Sequence, residues 1–293
     1  MSTGGQPDGL RRDAVAPAPQ RLPEFTGRHA PSVPGAAGRR PGTRSPRKTR
    51  PLAGHRDAAE AGRMTTTLIT GANKGLGFET ARRLVAAGHT VYVGSRDADR
   101  GRRAADRLGA RLVILDVTDD ASVAAAVKAI EADGGLDVLV NNAGIEGTVV
   151  PTAETTVDTL RPLFETNVFG MVRVTHAFLP LLLRSPAPVV VNVSSGLASK
   201  TLVSTPDTPT YAYPGLAYPA SKAAVNMVTV QYAKAFPNMR INAVEPGYTA
   251  TDLNGHRGTQ TVEEGAEIIV RMAQIGPDGP TGGYFDVTGP LPW

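Results

Sequence analysis

The sequence predicts a doubly wound α/β domain, a mostly parallel sheet with helices on both faces. Three observations lead there. Strand-like and helix-like segments alternate from Met64 to the end of the chain. The strand candidates are nearly continuous apolar runs rather than alternating ones, as expected for strands covered on both faces. The first of them runs into a glycine-rich turn that opens a helix. Right-handed crossovers between parallel strands then leave few topologies other than the doubly wound one.

The elements follow in order. Thr65 to Thr70 is β-branched and apolar and reads as a strand, and Leu76 to Ala87 has helical spacing. Thr90 to Val93 is a strand, Asp97 to Leu108 a helix with a polar face, Arg111 to Leu115 a strand, and Ala121 to Ala132 an Ala/Val-rich helix. Asp97 and the Asp119-Asp120 pair stand where helix N-caps belong. Leu136 to Val140 is the fourth strand. A long helix is predicted from about Leu160 to Leu183, with Pro162 near its start and Pro180 near its end. Val189 to Val193 is a strand, Tyr218 to Phe236 a helix, Ile241 to Val244 a strand, Val262 to Met272 a helix, and Gly283 to Phe285 a closing strand. Residues 199–217 hold three prolines and no period, and read as a long loop.

Composition sets bounds. The chain has 293 residues, 41% hydrophobic and 20% charged, enough apolar material for a single large core. It has no cysteine, which excludes disulfides, thiolate metal sites and cysteine nucleophiles. That fits a reducing compartment, and a cytoplasmic location is expected. No apolar run reaches the roughly 18 residues of a membrane span. The five histidines show no metal-ligand spacing, so no metal is expected. The net charge of +4 is unevenly placed: residues 1–63 carry 12 Lys/Arg against 5 Asp/Glu, leaving 19 against 22 in residues 64–293. Residues 1–63 also hold 9 of the 24 prolines and 9 of the 32 glycines, without an apolar period. They are expected to form a disordered N-terminal tail, a solvated leader or an over-long start ahead of a catalytic domain over 64–293. The alternative for the tail is weak electrostatic attachment to nucleic acid.

The glycine turn reads Thr70-Gly71-Ala72-Asn73-Lys74-Gly75-Leu76-Gly77. Glycines there allow a tight turn, close approach of backbone to phosphate, and close packing of helix on strand. The helix N-terminus that follows offers free N–H groups and a positive dipole end to a pyrophosphate. The spacing is G-x-x-x-G-x-G, and a lone turn of this kind is often only a turn. Its place between a first strand and a helix argues for dinucleotide binding.

With that turn, further motifs occur in one order: Leu115-Asp116-Val117, Asn141-Asn142-Ala143-Gly144, Asn167, Val193-Ser194-Ser195, Tyr218-Pro219-Ala220-Ser221-Lys222 and Pro246-Gly247-Tyr248-Thr249-Ala250-Thr251. On these the sequence resembles the short-chain dehydrogenases/reductases, most of all the carbonyl-reductase-like members, over essentially all of residues 64–293. The resemblance implies a single Rossmann-type domain and an oxidoreductase that moves a hydride between a nicotinamide cofactor and a small carbonyl or alcohol substrate. It implies that Asp116 and Val117 flank the adenine and that Asn142, Ala143 and Gly144 lie near the cofactor. Gly71, Asn73, Lys74, Gly75, Leu76 and Gly77 would hold the pyrophosphate side, and Pro246, Gly247 and Thr251 complete the cofactor set. For Asn141 and Asn142 the competing reading is a polar turn.

Tyr218 and Lys222 are four residues apart and share one helix face. A free phenol ionises near pH ~10, too high for efficient proton exchange at neutral pH. A nearby ammonium lowers that value, so Tyr218 is expected to act as general acid/base. Tyr211 and Tyr213 lack the partner, because Gly215 and Ala217 stand four residues on. The competing reading is an amphipathic pair on a solvated face. The resemblance adds that Lys222 holds the nicotinamide ribose, that Ser195 rather than Ser194 binds the substrate oxygen, and that Asn167 holds a water in a proton relay from Lys222. A locally back-bonded asparagine is the alternative for Asn167. Ser195 and Tyr218 are 23 apart, longer than in many members, and the extra length falls in 199–217.

An acidic residue ending the second strand would favour NAD, an arginine NADP. Here Ser95 stands at that place, Arg96 follows, and Lys74 adds a second cation, so NADP is expected, with NAD the alternative. A non-catalytic NAD(P)-sensing regulator is the rival class, and the Ser195, Tyr218 and Lys222 set argues against it. Nucleic-acid and membrane partners are not expected. Homodimer and monomer both remain open.

Overall fold

The apolar runs become the buried strands of a sheet, in a computed structural model that describes residues 64–293. The expected disordered tail over 1–63 lies outside the described residues. The first half of the domain alternates regularly: β1 (Thr66–Thr70), α1 (Gly75–Ala86), β2 (Thr90–Ser95), α2 (Ala98–Leu108), β3 (Arg111–Ile114), α3 (Asp120–Ala132) and β4 (Val138–Asn141). The second half runs α4 (Val157–Phe164), α5 (Gly170–Leu182), β5 (Val189–Val193), α6 (Lys200–Val203), α7 (Ala217–Ala235), β6 (Arg240–Val244), α8 (Val262–Ala273), β7 (Tyr284–Asp286) and β8 (Gly289–Pro290). Among the described residues these strands form one sheet in the order β3-β2-β1-β4-β5-β6-β7-β8. All neighbours pair in parallel except β7 and β8. The chain winds outward from β1 to β3 and then returns to β4 on the other side of β1. That reversal opens a crevice at the carboxyl ends of β1 and β4.

Two apolar layers enclose the sheet. Ile69, Val91, Val140 and Val191 pack with Leu84 of α1, Ala104 of α2 and Ile269 of α8. Leu68, Leu139, Val190 and Ile241 pack with Ile130 of α3 and Phe178 of α5 on the opposite face. Neighbouring strand residues thus enter different layers, which is why Val189–Val193 is buried at all five positions and shows no alternation. The helix starts follow their caps. The Asp97 carboxylate accepts from Arg100 N at 2.9 Å and Asp119 from Ser122 N at 2.8 Å. Thr261 and Glu264 form a capping box on α8.

Three segments differ from the sequence expectation. The long helix over 160–183 is interrupted by a π-turn at Glu165–Phe169. Asn167 sits in that turn, and the extra residue per turn re-aims its side chain. The 199–217 segment opens with the single turn α6, capped by Ser199, whose Oγ accepts from Leu202 N at 3.1 Å and donates to Pro292 O at 2.7 Å. Four residues are too few to show a period. Strand β8 is two residues long and contains Gly and Pro, so nothing in its composition marks it. None of the described helices is long and apolar enough to cross a membrane.

Candidate functional site

The crevice at the switch point widens into a cavity of about 1060 Å³. One end is built by the glycine turn. The N-cap residue of α1, Lys74, makes no side-chain cap bond and the first turn has no acid, whereas α2, α3 and α8 each begin under an Asp or Thr cap. The first N–H groups of α1 are therefore left to a ligand, and Gly75, Leu76 and Gly77 face the cavity. Gly71 has φ 65°, a conformation that favours glycine. A Cβ on Gly77 would stand 2.8 Å from Gly71 O and 2.9 Å from Ala72 Cα, so only glycine lets helix and turn close up. This is the shape and polarity of an anion cradle.

Asn142 ties that cradle to β4. Its Nδ2 donates to Thr70 O at 2.8 Å and to Gly71 O at 3.2 Å, and Thr70 Oγ1 accepts from Asn142 N and Ala143 N. Asn141 turns the other way, into the core, where it donates to Thr175 Oγ1 and Asn192 Oδ1. Asp116 and Val117 line the cavity beyond the turn, and Asp116 Oδ1 caps its own loop through Thr118 N and Oγ1. Those bonds hold its carboxyl below the ordinary range.

Arg96 lines the same end and is exposed; among the described residues it enters no ion pair. Two expected cofactor residues sit differently. Ser95 is buried behind the cavity wall, and its Oγ donates to Asp97 O at 2.8 Å. Inward pointing of that strand position makes it a spacer under Arg96 rather than a lining residue. Lys74 lines the cavity, but its Nζ pairs with Asp252 at 2.7 Å. An acid 178 residues further along the sequence takes the charge that was expected to face a phosphate.

At the other end, Tyr218, Ser195 and Lys222 share one wall. Ser194 and Ser195 diverge because successive residues of an extended segment point to opposite sides. Ser194 Oγ donates to Asn226 Oδ1 at 2.6 Å inside the core, while Ser195 faces the cavity beside the Tyr218 phenol. Lys222 Nζ donates to Val193 O at 2.8 Å and lies 5.7 Å from the Tyr218 ring centroid. Burial brings the Lys222 ammonium down to about 8, with Glu245 opposing.

The Tyr218 phenol is pushed above its ordinary value, by burial first and then by the carboxylates of Glu245 and Glu146, with the Ser195 hydroxyl opposing. This reverses the expected direction. The lysine is turned to a backbone carbonyl and spans the ring face, so desolvation and two acids prevail over it.

Asn167 does not line the cavity. It is buried in the π-turn and clamps Ile145, accepting from Ile145 N at 2.8 Å and donating to Ile145 O at 2.9 Å and Ser221 Oγ at 3.0 Å. It still borders the site through Gly144, where an added Cβ would lie 3.2 Å from Asn167 Oδ1 and 3.5 Å from Lys222 Nζ. Pro246, Gly247 and Thr251 line the cavity from the loop after β6.

Sequence reasoning missed Glu245, Glu146 and Tyr213. Tyr213 Oη donates to Glu146 Oε1 at 3.2 Å, which brings the 199–217 segment over the cavity mouth. Glu245 alone had a local signal, an acid directly after a mostly apolar strand.

Comparison with known proteins agrees with this geometry. The sequence pattern of the family described as short chain dehydrogenase matches residues 65–261. A (+)-neomenthol dehydrogenase of Capsicum annuum is 31% identical over 295 residues, covering 74% of this chain and 94% of the relative. A 3-ketoacyl-(acyl-carrier-protein) reductase from Brucella melitensis, complexed with NADH, superposes with a TM-score of 0.66 at 26% identity, covering 76% of this chain and 96% of that one. A gluconate 5-dehydrogenase from Burkholderia cenocepacia, in complex with NADP and tartrate, gives 0.65 at 25% identity, covering 76% and 93%. The sequence pattern spans most of the described residues, and these three proteins are covered nearly end to end. The chain belongs to the short-chain dehydrogenase family.

Proposed function

We propose that this protein is an NADPH-dependent oxidoreductase that reduces a carbonyl, or oxidises the matching alcohol, with Tyr218 exchanging the proton. One observation carries the reading: a phenol, a hydroxyl and an ammonium converge on one wall of a cavity whose far end is an uncapped helix N-terminus beside an arginine that forms no ion pair among the described residues. The first end suits a polar carbonyl oxygen and the second a pyrophosphate. The nicotinamide, when bound, supplies or takes the hydride at the substrate carbon.

The chain does the rest. Ser195 donates to the substrate oxygen and steadies charge developing on it. Tyr218 gives its phenolic proton to that oxygen in reduction and takes it back in oxidation. Lys222 holds the ribose and, as a cation, favours the phenolate left behind. The positive charge of an oxidised nicotinamide acts in the same direction. Asn167 holds Ile145 and the Gly144 turn in place beside Lys222. Glu146 of the loop after β4 and Tyr213 of the long segment over 199–217 border the substrate. A cytoplasmic location belongs to the same reading and is supported by the absence of cysteine.

The test is NADPH consumption across quinones, aldehydes, ketones and keto-esters. Steady oxidation of NADPH by at least one class is expected, and none with any class refutes the reading.

NADPH is expected to be preferred over NADH, and Arg96 is the residue behind it. Relatives that hold NADH and NADP share this fold, so the fold does not choose. A 2′-phosphate gains a charge-assisted contact from Arg96 that a 2′-hydroxyl does not. For an exposed arginine the preference should be roughly tenfold to a few hundredfold in kcat/KM. Arg96→Ala should erase most of it through NADPH alone. Lys74, already paired with Asp252, should contribute less. An unchanged NADPH/NADH ratio in Arg96→Ala would remove that assignment.

A further inference from the structure

Tyr284 is the first residue of β7, is buried, and does not line the cavity. Its ring stacks on Trp293, with centroids 5.4 Å apart and planes 19° apart. Phenylalanine would fill such a place equally well, and a hydroxyl taken out of water costs stability unless it finds a partner. The partner lies in the wall that carries Ser195: Tyr284 Oη donates to Ser195 O at 2.5 Å. Burial holds this phenol above its ordinary value, so it keeps its proton and remains a donor.

Ser195 is a place where such an anchor matters. It is extended, with φ −166° and ψ 149°, and joins the end of β5 to a single 3-10 turn, Gly196–Ala198. On the strand side, Ser194 N donates to Val244 O at 2.8 Å and ties the chain to β6. On the turn side, Ser195 O accepts from Ala198 N at 2.8 Å, and Ser195 Oγ accepts from Leu197 N at 3.3 Å. The second bond uses a lone pair of Oγ and leaves its proton for a substrate oxygen. A lone 3-10 turn is a weak hold, because its hydrogen-bond geometry is poor. The peptide between Ser195 and Gly196 could rock and carry Leu197 and Oγ with it. Tyr284 stops this from β7, so the junction is pinned to a strand on each side. The phenol is itself held: Leu291 N donates to Tyr284 O at 2.7 Å, and Trp293 O accepts from Thr201 N at 3.1 Å and Thr201 Oγ1 at 2.9 Å.

We propose that Tyr284 is a positioning residue for the reaction: its bond to Ser195 O fixes the peptide that aims Ser195 Oγ at the substrate oxygen. This rests on the role proposed for Ser195. A donor placed for charge that develops in the transition state loses its effect when its aim spreads. The loss therefore falls on kcat and not on cofactor affinity.

The test is a double-mutant cycle in the full-length protein, comprising the parent, Tyr284→Phe, Ser195→Ala and the double variant. Tyr284→Phe keeps the ring and its stack and removes only the hydroxyl. The kcat of NADPH-dependent carbonyl reduction should fall about tenfold in Tyr284→Phe, with NADPH affinity within about twofold of the parent. In the Ser195→Ala background the same change should cost less than about twofold, since no Oγ remains to be aimed. A bond that only stabilises the fold would lower Tm and cost the same in both backgrounds. Trp293→Leu keeps the phenol and removes the ring that aims it. It should show the same dependence on Ser195 at about threefold, and it serves if Tyr284→Phe does not fold. A second readout needs no turnover. In Tyr284→Phe the amides of Leu197 and Ala198 should exchange hydrogen about tenfold faster, with Val191 of β5 unchanged.

An unchanged kcat in Tyr284→Phe overturns the proposal, as do equal losses with and without Ser195 Oγ, or unchanged exchange at Leu197 and Ala198. If the parent reduces no carbonyl while those two amides lose protection, the oxidoreductase reading fails and the fixing of Ser195 by Tyr284 stands.

Discussion

Tyr218→Phe should retain cofactor affinity and lose turnover by roughly a thousandfold, within the range that a positioned acid/base contributes. The change removes one oxygen and keeps the ring. Lys222 still spans the ring face and still donates to Val193 O, so the cation that holds the ribose stays in place. Ser195 keeps the backbone N–H of Leu197 at 3.3 Å. Only the proton donor is missing. Steady-state kcat and a fluorescence titration with NADPH separate the two effects. A kcat within fivefold of the parent would place the acid elsewhere. A loss of affinity equal to the loss of turnover would make the phenol a binding group instead.

Gly77→Ala should disable the cradle and lower the melting temperature. The new methyl would sit 2.5 Å from Asn142 Nδ2, 2.8 Å from Gly71 O and 2.9 Å from Ala72 Cα. A flexible side chain could swing away, but two of these atoms are backbone, and Asn142 is held by Thr70 O and Gly71 O. The α1 N-terminus must therefore back away from the turn. Overpacking of this kind costs about 1–3 kcal/mol, which for a domain of this size lowers Tm by roughly 2–12 °C. The separation of helix and turn also misplaces the N–H groups offered to phosphate, and KM for NADPH should rise by about a hundredfold or more. Gly276→Ala is the control, since a Cβ there meets nothing within 4 Å. A calorimetric scan and a cofactor titration of both variants decide it. If Gly77→Ala matches Gly276→Ala in Tm and NADPH affinity, the close contact at Gly77 does not matter to the site.

The sequence alone determined the architecture and pointed to many of the residues that line the cavity. Period and apolarity are local properties, and Val189–Val193 or Ile241–Val244 can be read as buried strands without knowing their neighbours. The glycine turn and the Tyr218–Lys222 spacing are local as well, and a helix of fixed pitch puts residues four apart on one face. Tertiary structure decided what depends on residues far apart in the chain. Asp252 occupies Lys74, Asn226 occupies Ser194, and Asn167 reaches Ile145 instead of the cavity. Ser95 falls behind the wall because the twist and packing of β2 against α2, not its place in a motif, set where it points. The same holds for electrostatics. Two residues four apart predict an ammonium that draws the phenol down, and that is all a spacing can say. Desolvation and the carboxylates of Glu245 and Glu146 push it up. A pKa is a sum over everything within several ångströms, and β6 and the loop after β4 come within reach of α7 only when the sheet is closed.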